Sequence, residues 1–233
     1  MYVIQDGGEK DLTQTIDGLG DERIHFLSIP HRGKAAALNH AINYGRATYV
    51  AYLDDDDIWY PNHLEVAIAA MRDKRIRFIH TDAIEVFLQR VGDQYCEISR
   101  TVLNRGPLSD LLLWYVSHIN TVHERSLIEE AGRYDEMRQV FIDWDMLLRM
   151  AHFAKPHHVP IVTCEHYIYL DDDHEKDNTI SRVHSVDREY SRAMHDEMFT
   201  RAFELLSPRE LVGALHNPQF SVQLIRHWLR KIF

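Results

Sequence analysis

Cysteine is scarce in this chain of 233 residues, which has only the widely separated Cys96 and Cys164. That spacing matches neither a zinc motif nor a disulfide framework. Apolar runs long enough to cross a bilayer are also missing, and the N-terminus lacks the basic and apolar stretches of a signal peptide. We therefore expect a cytoplasmic protein with reduced thiols.

Positive charge is in deficit as well. Lysine and arginine total 26 against 36 aspartate and glutamate residues, and the net charge is −10. A general nucleic-acid-binding surface needs clustered positive charge, so we expect no nucleic-acid partner. A phosphorylated ligand stays compatible with this balance if a metal ion supplies the positive charge.

Segments typical of strands and of helices alternate through the first hundred residues and beyond. This alternation indicates an α/β fold whose sheet is mixed but mainly parallel and is flanked by helices. The pattern after residue 183 is helical, so we expect a main domain over residues 1–183 and a helical C-terminal extension over residues 184–233. The last helix, Val222–Phe233, is basic and amphipathic, which suits either packing on the domain or contact with an anionic membrane.

Four consecutive carboxylates, Asp54–Asp57, follow the short apolar run Tyr49–Leu53. The run predicts a buried strand, and Pro61 suits the first turn of a following helix. The cluster then lies at the carboxyl end of a strand, where open α/β sheets bind ligands. A solvated acidic turn is one interpretation, and a hard divalent cation held by carboxylates is the other.

A second candidate site begins at Gly33, which lies between Arg32 and Lys34 at the start of a predicted helix with one small apolar face. A helix N-terminus flanked by two cations is a fair phosphate site, although basic residues near a glycine are frequent.

The segment 141–151 is apolar nearly all round and predicts a buried helix with acids in its first turn. Asp143 is either a helix cap or a functional acid. Asp145 is explained by an ion pair with Arg149, four residues on. Residues two apart on a helix point about 200° apart, so both acids are not expected to serve one site.

Five segments, in the same order along the chain, resemble family 2 glycosyltransferases of the GT-A fold, which is Rossmann-like. The segments are Val3–Gly8, Arg32–Ile42, Leu53–Pro61 with its DxD pattern, Gly132–Glu136 and Ile142–Arg149. The similarity extends from residue 2 to about residue 182.

For the donor side, the resemblance implies binding of a nucleotide-sugar, with UDP as the expected nucleotide. Its nucleotide contacts would come from Gln5, Asp6, Arg32, Lys34, Asp54 and Asp55. Mn²⁺ or Mg²⁺ would be held by Asp56, with Asp54 beside it, and by His174 in a late loop that also contains Asn178. That loop could equally be a plain surface loop, and Trp59 and Trp114 could stack on a sugar or belong to the core.

For the acceptor side, the resemblance implies that Asp143 is the base that activates an acceptor hydroxyl, on the face of the sugar opposite the diphosphate. The expected reaction is a metal-dependent, inverting transfer of a hexose to a glycan or a lipid-linked acceptor in cell-envelope polysaccharide biosynthesis. Such an enzyme would work in the cytoplasm, with peripheral contact at the inner face of the membrane. The alternatives are a nucleotide- or glycan-binding relic of such an enzyme and a metal-dependent phosphoesterase or nucleotidyltransferase.

The family usually has one further strand, turn and helix before the segment that corresponds to Tyr2–Gln5. Without them this strand would expose an unpaired edge, which is a site for pairing with another chain. We therefore expect upstream residues, a partner strand or homodimerisation to cover that edge.

Overall fold

The computed structural model describes residues 1–8, 10–73, 75–103, 106, 118–170 and 188–215. Its strands are β1 (Tyr2–Asp6), β2 (His25–Ile29), β3 (Tyr49–Ala51), β4 (Ile58–Trp59), β5 (Phe78–Val91), β6 (Gln94–Leu103), β7 (Thr121–Glu124) and β8 (His157–Tyr169). Its helices are α1 (Thr13–Asp17), α2 (Lys34–Tyr44), α3 (His63–Ala70), α4 (Ser126–Ala131), α5 (Ile142–Phe153), α6 (Arg188–Leu205) and α7 (Pro208–Leu215). A 3₁₀ turn, His118–Asn120, leads into β7.

The described strands form two sheets. β1 and β2 pair in parallel, and the other six form a sheet in the order β3-β7-β5-β8-β4, with β6 paired to β5. The mixed α/β sheet that the sequence predicts is confirmed. Its parallel share is smaller than predicted, because β5 with β8 is the only parallel pair among these six strands. The error arose because β7 lies between β3 and β5 and runs antiparallel to both, which strand and helix periodicity does not reveal.

The long strand β5 carries most of the larger sheet. It pairs with β7 at its start, with β6 over its second half and with β8 along most of its length. β5 and β6 form an antiparallel hairpin. Within the described ranges, β1 pairs with β2 alone, so the covering of its other edge stays a prediction.

The largest hydrophobic core lies between α2, α4, α5 and α6. Trp144 of α5 is its largest fully buried side chain, and Met198, Phe199 and Ala202 of α6 complete the packing. A smaller core lies between α3 and the larger sheet, around Ala67 and Ile79. Packing thus holds the α5 helix on several sides and fixes the positions of the side chains in its first turn.

Some predicted features lie outside the described residues, among them the loop with His174 and Asn178, Trp114, and the helix Val222–Phe233. Within the described ranges, no helix is both long enough and apolar enough to cross a membrane.

Candidate active site

The turn after β1 and the start of α2 are joined through the Asp6 carboxylate. Asp6 Oδ1 accepts a hydrogen bond from the Arg32 backbone N–H (2.8 Å), and Asp6 Oδ2 accepts one from the Gly33 N–H (2.7 Å). Gly33 has a φ of +92°, which favours glycine at this helix cap. Asp6 therefore sets the position of the α2 N-terminus relative to β1.

Two other predicted nucleotide-side residues make contacts elsewhere. The Gln5 side-chain amide donates to the Lys10 carbonyl (2.6 Å), and the Arg32 guanidinium pairs with Glu136 (2.7 Å). Asn39 of α2 also holds the segment before Glu136, since its amide exchanges hydrogen bonds with the Tyr134 backbone at 2.9 and 3.1 Å. The Gly132–Glu136 segment is therefore tied to the same helix that begins at Gly33.

Lys34 brings the acidic cluster and the α5 helix together. Its Nζ donates to Asp54 Oδ2 at 2.7 Å and to Asp143 Oδ2 at 3.1 Å. The Asp143 side chain is 3% exposed, so its charge needs a nearby cation. The family resemblance assigned these three residues to one site, and in the structure Lys34 contacts both carboxylates.

Asp143 lies in the first turn of α5, whose cap is Phe141 with a φ of +56°. Asp143 is therefore not the cap residue, and no side chain caps the helix. Asp145, in contrast, pairs with Arg149 at 2.7 Å, as predicted, and with Arg201 at 2.9 Å. The two acids of this helix thus face different partners.

The four aspartates after β3 differ from one another. Asp55 and Asp56 are exposed, Asp54 is half-buried and Asp57 is buried. The pKa of Asp56 is raised by partial desolvation, and the carboxylates of Asp54 and Asp55 add to the shift. Burial raises the pKa of Asp57 to about 8, although its Oδ1 accepts the Tyr167 N–H at 2.9 Å. Asp57 therefore anchors the turn to β8, while its neighbours face outward.

The carboxylates of this turn supply part of a binding site for a hard cation. Asp54 and Asp56 offer two carboxylates, and Mg²⁺ or Mn²⁺ is commonly bound by one or two carboxylates together with phosphate oxygens of the substrate. Repulsion from Asp54 and Asp55 raises the Asp56 pKa, and a cation would relieve this repulsion. The described residues hold no group of three or more potential metal-binding side chains, and His174 lies outside them.

Trp59 belongs to the protein interior more than to a sugar-binding surface. Its indole N–H donates to the Ile119 carbonyl at 2.8 Å, and its ring stacks on His63 with centroids 4.4 Å apart. These contacts favour the core interpretation of this tryptophan.

Sequence reasoning missed two side chains near Asp143. His118 Nδ1 lies 3.4 Å from Asp143 Oδ1, and the Tyr134 hydroxyl lies 3.3 Å from the same nitrogen. His118 precedes a strand in a stretch without any motif, and its partner lies 25 residues further along. No local pattern could have singled it out.

An α/β fold with a carboxylate cluster after a strand, next to a glycine-capped helix, fits the class of nucleotide-sugar-dependent transferases. The sequence profile of glycosyl transferase family 2 matches residues 1–125, which is more than half of the chain. The protein belongs to this family.

Two curated relatives illustrate the range of similarity. The uncharacterized glycosyltransferase YwdF of Bacillus subtilis is 27% identical over 181 residues, which cover 75% of this chain and 65% of the relative. The Escherichia coli UDP-Glc:alpha-D-GlcNAc-diphosphoundecaprenol beta-1,3-glucosyltransferase WfgD is 39% identical over 81 residues, 34% of this chain and 32% of the relative. The chain spans less than two thirds of either relative.

Among solved structures, the fold is similar to that of S. aureus TarS 1-349 in complex with UDP-GlcNAc. The TM-score is 0.56 at 10% identity, and the match covers 87% of this chain and 63% of TarS 1-349. At this identity the likeness shows the fold, and it confirms the GT-A architecture that the sequence predicts.

Proposed function

We propose that this protein transfers a sugar from a UDP-sugar donor to a hydroxyl of a glycan or lipid-linked acceptor, with inversion at the anomeric carbon. The observation that carries this proposal is the contact of Lys34 with both Asp54 and Asp143. It unites a phosphate-side cation, a carboxylate of the DxD segment and the candidate base in one site. UDP-sugars as donors are supported by WfgD, a UDP-Glc-dependent glucosyltransferase, and by TarS 1-349, whose structure contains UDP-GlcNAc, and WfgD also supports a lipid diphosphate acceptor.

In the proposed reaction, the acceptor oxygen forms a bond to the anomeric carbon while the bond to the diphosphate oxygen breaks. The electron pair of the broken bond leaves with the UDP, and the hydroxyl proton passes to Asp143 Oδ2. This oxygen is the one that faces Lys34 and Asp54. Attack opposite the leaving diphosphate accounts for inversion, and general-base assistance contributes about 10²- to 10⁴-fold.

Asp56, with Asp54 beside it, would hold a Mn²⁺ or Mg²⁺ ion, and such an ion stabilises negative charge on a leaving diphosphate. Arg32 and Lys34 supply positive charge at the start of α2, while Asp6 fixes the position of that helix start. We assign Gln5 and Asp55 to the nucleoside end of the donor.

The test is turnover of UDP-glucose and UDP-GlcNAc with Mn²⁺ and a GlcNAc-diphospho-lipid acceptor. We expect UDP release to depend on the acceptor and to fall by about 10²- to 10⁴-fold in Asp143→Asn, with UDP binding retained. Asp145→Asn is the matched control, because it is equally buried on the same helix but pairs with Arg149. That variant should lose stability and keep the turnover of its folded fraction.

The Asp143 side chain is only 3% exposed and its Oδ2 accepts from Lys34, which also favours a second candidate, a protein that binds a nucleotide-sugar without transferring it. UDP binding without turnover in the wild type would select that candidate. Hydrolysis of phosphoesters that is unaffected by Asp143→Asn would contradict both and favour a phosphoesterase.

The metal assignment has its own test. Calorimetry should show tighter UDP binding with Mn²⁺ than without it, and Asp56→Asn should remove the difference. A Mn²⁺ dependence that survives in Asp56→Asn would exclude this residue as a ligand.

A further inference from the structure

The two carboxylate oxygens of Asp143 face opposite surroundings. Oδ2 accepts from Lys34 on the side of Asp54, and Oδ1 lies 3.4 Å from His118 Nδ1 in the interior. The side chains of His118 and Asp143 are 2% and 3% exposed. Bulk water therefore does not compete with His118 for a hydrogen bond to Asp143.

His118 is held neutral by its surroundings. Burial lowers the pKa of this imidazole, and the neighbouring Asp143 only partly opposes the shift. A neutral imidazole carries a single ring proton, on Nδ1 or on Nε2. Only the Nδ1–H tautomer can donate a hydrogen bond to Asp143.

A buried cluster of hydrogen bonds beside His118 fixes the tautomer of the neighbouring His123. It starts at the Glu124 carbonyl, 2.7 Å from His123 Nδ1, and a carbonyl can only accept. His123 Nδ1 must therefore carry the proton, because burial lowers the pKa of His123 to about 4 and keeps it neutral. Its Nε2 is then an acceptor, so the Tyr52 hydroxyl, at 2.7 Å, donates to it.

Two tyrosines link this cluster to His118. The Tyr52 ring lies 4.4 Å from the His118 ring between centroids, and the Tyr134 hydroxyl lies 3.3 Å from His118 Nδ1. Burial raises the pKa of both tyrosines, so each keeps its proton. The Tyr134 oxygen can therefore accept a hydrogen bond from a proton on His118 Nδ1.

The opposite ring nitrogen of His118 decides between its two tautomers. Within the described residues, His118 Nε2 is buried and has no hydrogen-bond partner. A buried N–H group without a partner costs more than a lone pair without one, and such groups are rare in folded proteins. The proton is therefore favoured on Nδ1.

We propose that His118 is a positioning residue for Asp143: its Nδ1–H group, shared between the Tyr134 oxygen at 3.3 Å and Asp143 Oδ1 at 3.4 Å, holds Oδ1 inward and leaves Oδ2 directed at the donor side. This inference rests on the proposed function, in which Oδ2 takes the proton of the acceptor hydroxyl. Lys34 and His118 together fix the plane of the carboxylate from its two ends.

The test compares substitutions that keep or move the donor. Asparagine at 118 can present an amide N–H near the position of Nδ1, whereas glutamine presents it near that of Nε2 and phenylalanine has none. We expect kcat to fall on the order of 100-fold in His118→Phe and His118→Gln, as for a misplaced catalytic group. His118→Asn should recover most of the loss, with the donor KM and UDP affinity unchanged in all three.

His80→Asn is the matched control, because His80, at 1% exposed, is as deeply buried as His118 but lies on β5 and stacks on His158. It should leave kcat unchanged. If Asp143→Asn abolishes transfer while His118→Phe retains full kcat, the inference is wrong and the proposed function stands. If Asp143→Asn has no effect on transfer, the proposed function itself fails.

A spectroscopic measurement tests the inference without turnover. In ¹⁵N-labelled protein, the ring nitrogens of His118 should show the Nδ1–H tautomer, and Tyr134→Phe should weaken that preference. An Nε2–H signal in the folded wild type would overturn the proposal whatever the activity assays show.

Discussion

The two walls of the candidate site, β1 with its turn on the nucleotide side and the α5 helix on the base side, differ in how they are built. Every residue of β1 is only partly buried, and β1 belongs to a two-stranded sheet. The α5 helix, in contrast, buries most of its residues in the largest core of the protein. The nucleotide side is thus held by polar contacts to a turn, and the base side is held by packing. A site of this kind can adjust to its donor while the base stays in place.

The largest expected effect comes from truncating one packed side chain in each wall and comparing the losses of stability. Trp144→Ala in α5 should lower the free energy of unfolding by about 3–5 kcal/mol, because it empties a fully buried site. Ile4→Ala in the half-buried β1 should cost about 1 kcal/mol. Urea unfolding of both variants measures the difference, and equal costs would show that the two walls are equally packed.

The second prediction concerns the cation that joins the walls. Lys34→Met should cost about 2–3 kcal/mol, because it leaves the buried Asp143 charge without its cation. Adding Asp143→Asn to Lys34→Met should recover part of the loss, since the uncompensated charge is then gone. A double-mutant cycle with no coupling between the two substitutions would mean that the contact adds nothing to stability.

The third prediction tests the turn on the nucleotide side. Asp6→Ala should cost about 1.5–2 kcal/mol, because the backbone N–H groups of Arg32 and Gly33 lose a charged acceptor. Asp6→Asn keeps one acceptor oxygen and should lose about half as much. UDP affinity should fall with stability in this series. An affinity that stays constant would separate the turn from the donor site.

The smallest effect concerns pH and the larger sheet. Burial lowers the pKa of His80 to about 3 in the folded protein. In the unfolded protein its pKa is near 6.5, so the unfolded protein binds a proton at His80 first as the pH falls. Stability from this residue is therefore complete above pH 6.5 and is lost progressively below it.

Between pH 7.5 and pH 5.5 the loss through His80 should be about 1.4 kcal/mol. Thermal unfolding of the wild type and of His80→Phe over this range measures it, since the variant should show a flatter pH dependence. Parallel curves would show that His80 is not buried in its neutral form.

Local patterns in the sequence predicted much of this molecule. The acidic cluster after β3, the glycine at the start of α2, and the pairing of Asp145 with Arg149 all follow from spacings of a few residues. The order of five short segments was enough to identify the family and the GT-A fold.

What the sequence did not predict depends on contacts between distant segments. The antiparallel insertion of β7 between β3 and β5 interrupts the run of parallel strands expected there. The inward turn of Asp57 depends on the Tyr167 backbone, 110 residues away. His118 acquires its place beside Asp143 only when the turn before β7 packs against α5.

The contact between Lys34 and Asp143 spans 109 residues of chain. Contacts of such long range carry a large loop-closure entropy and form late, whereas helices and hairpins form early. A refolding chain should therefore regain its helical signal well before it regains a competent site. During synthesis, residues 1–125, which match the family profile, will all have left the ribosome before α5 emerges and can contact Lys34.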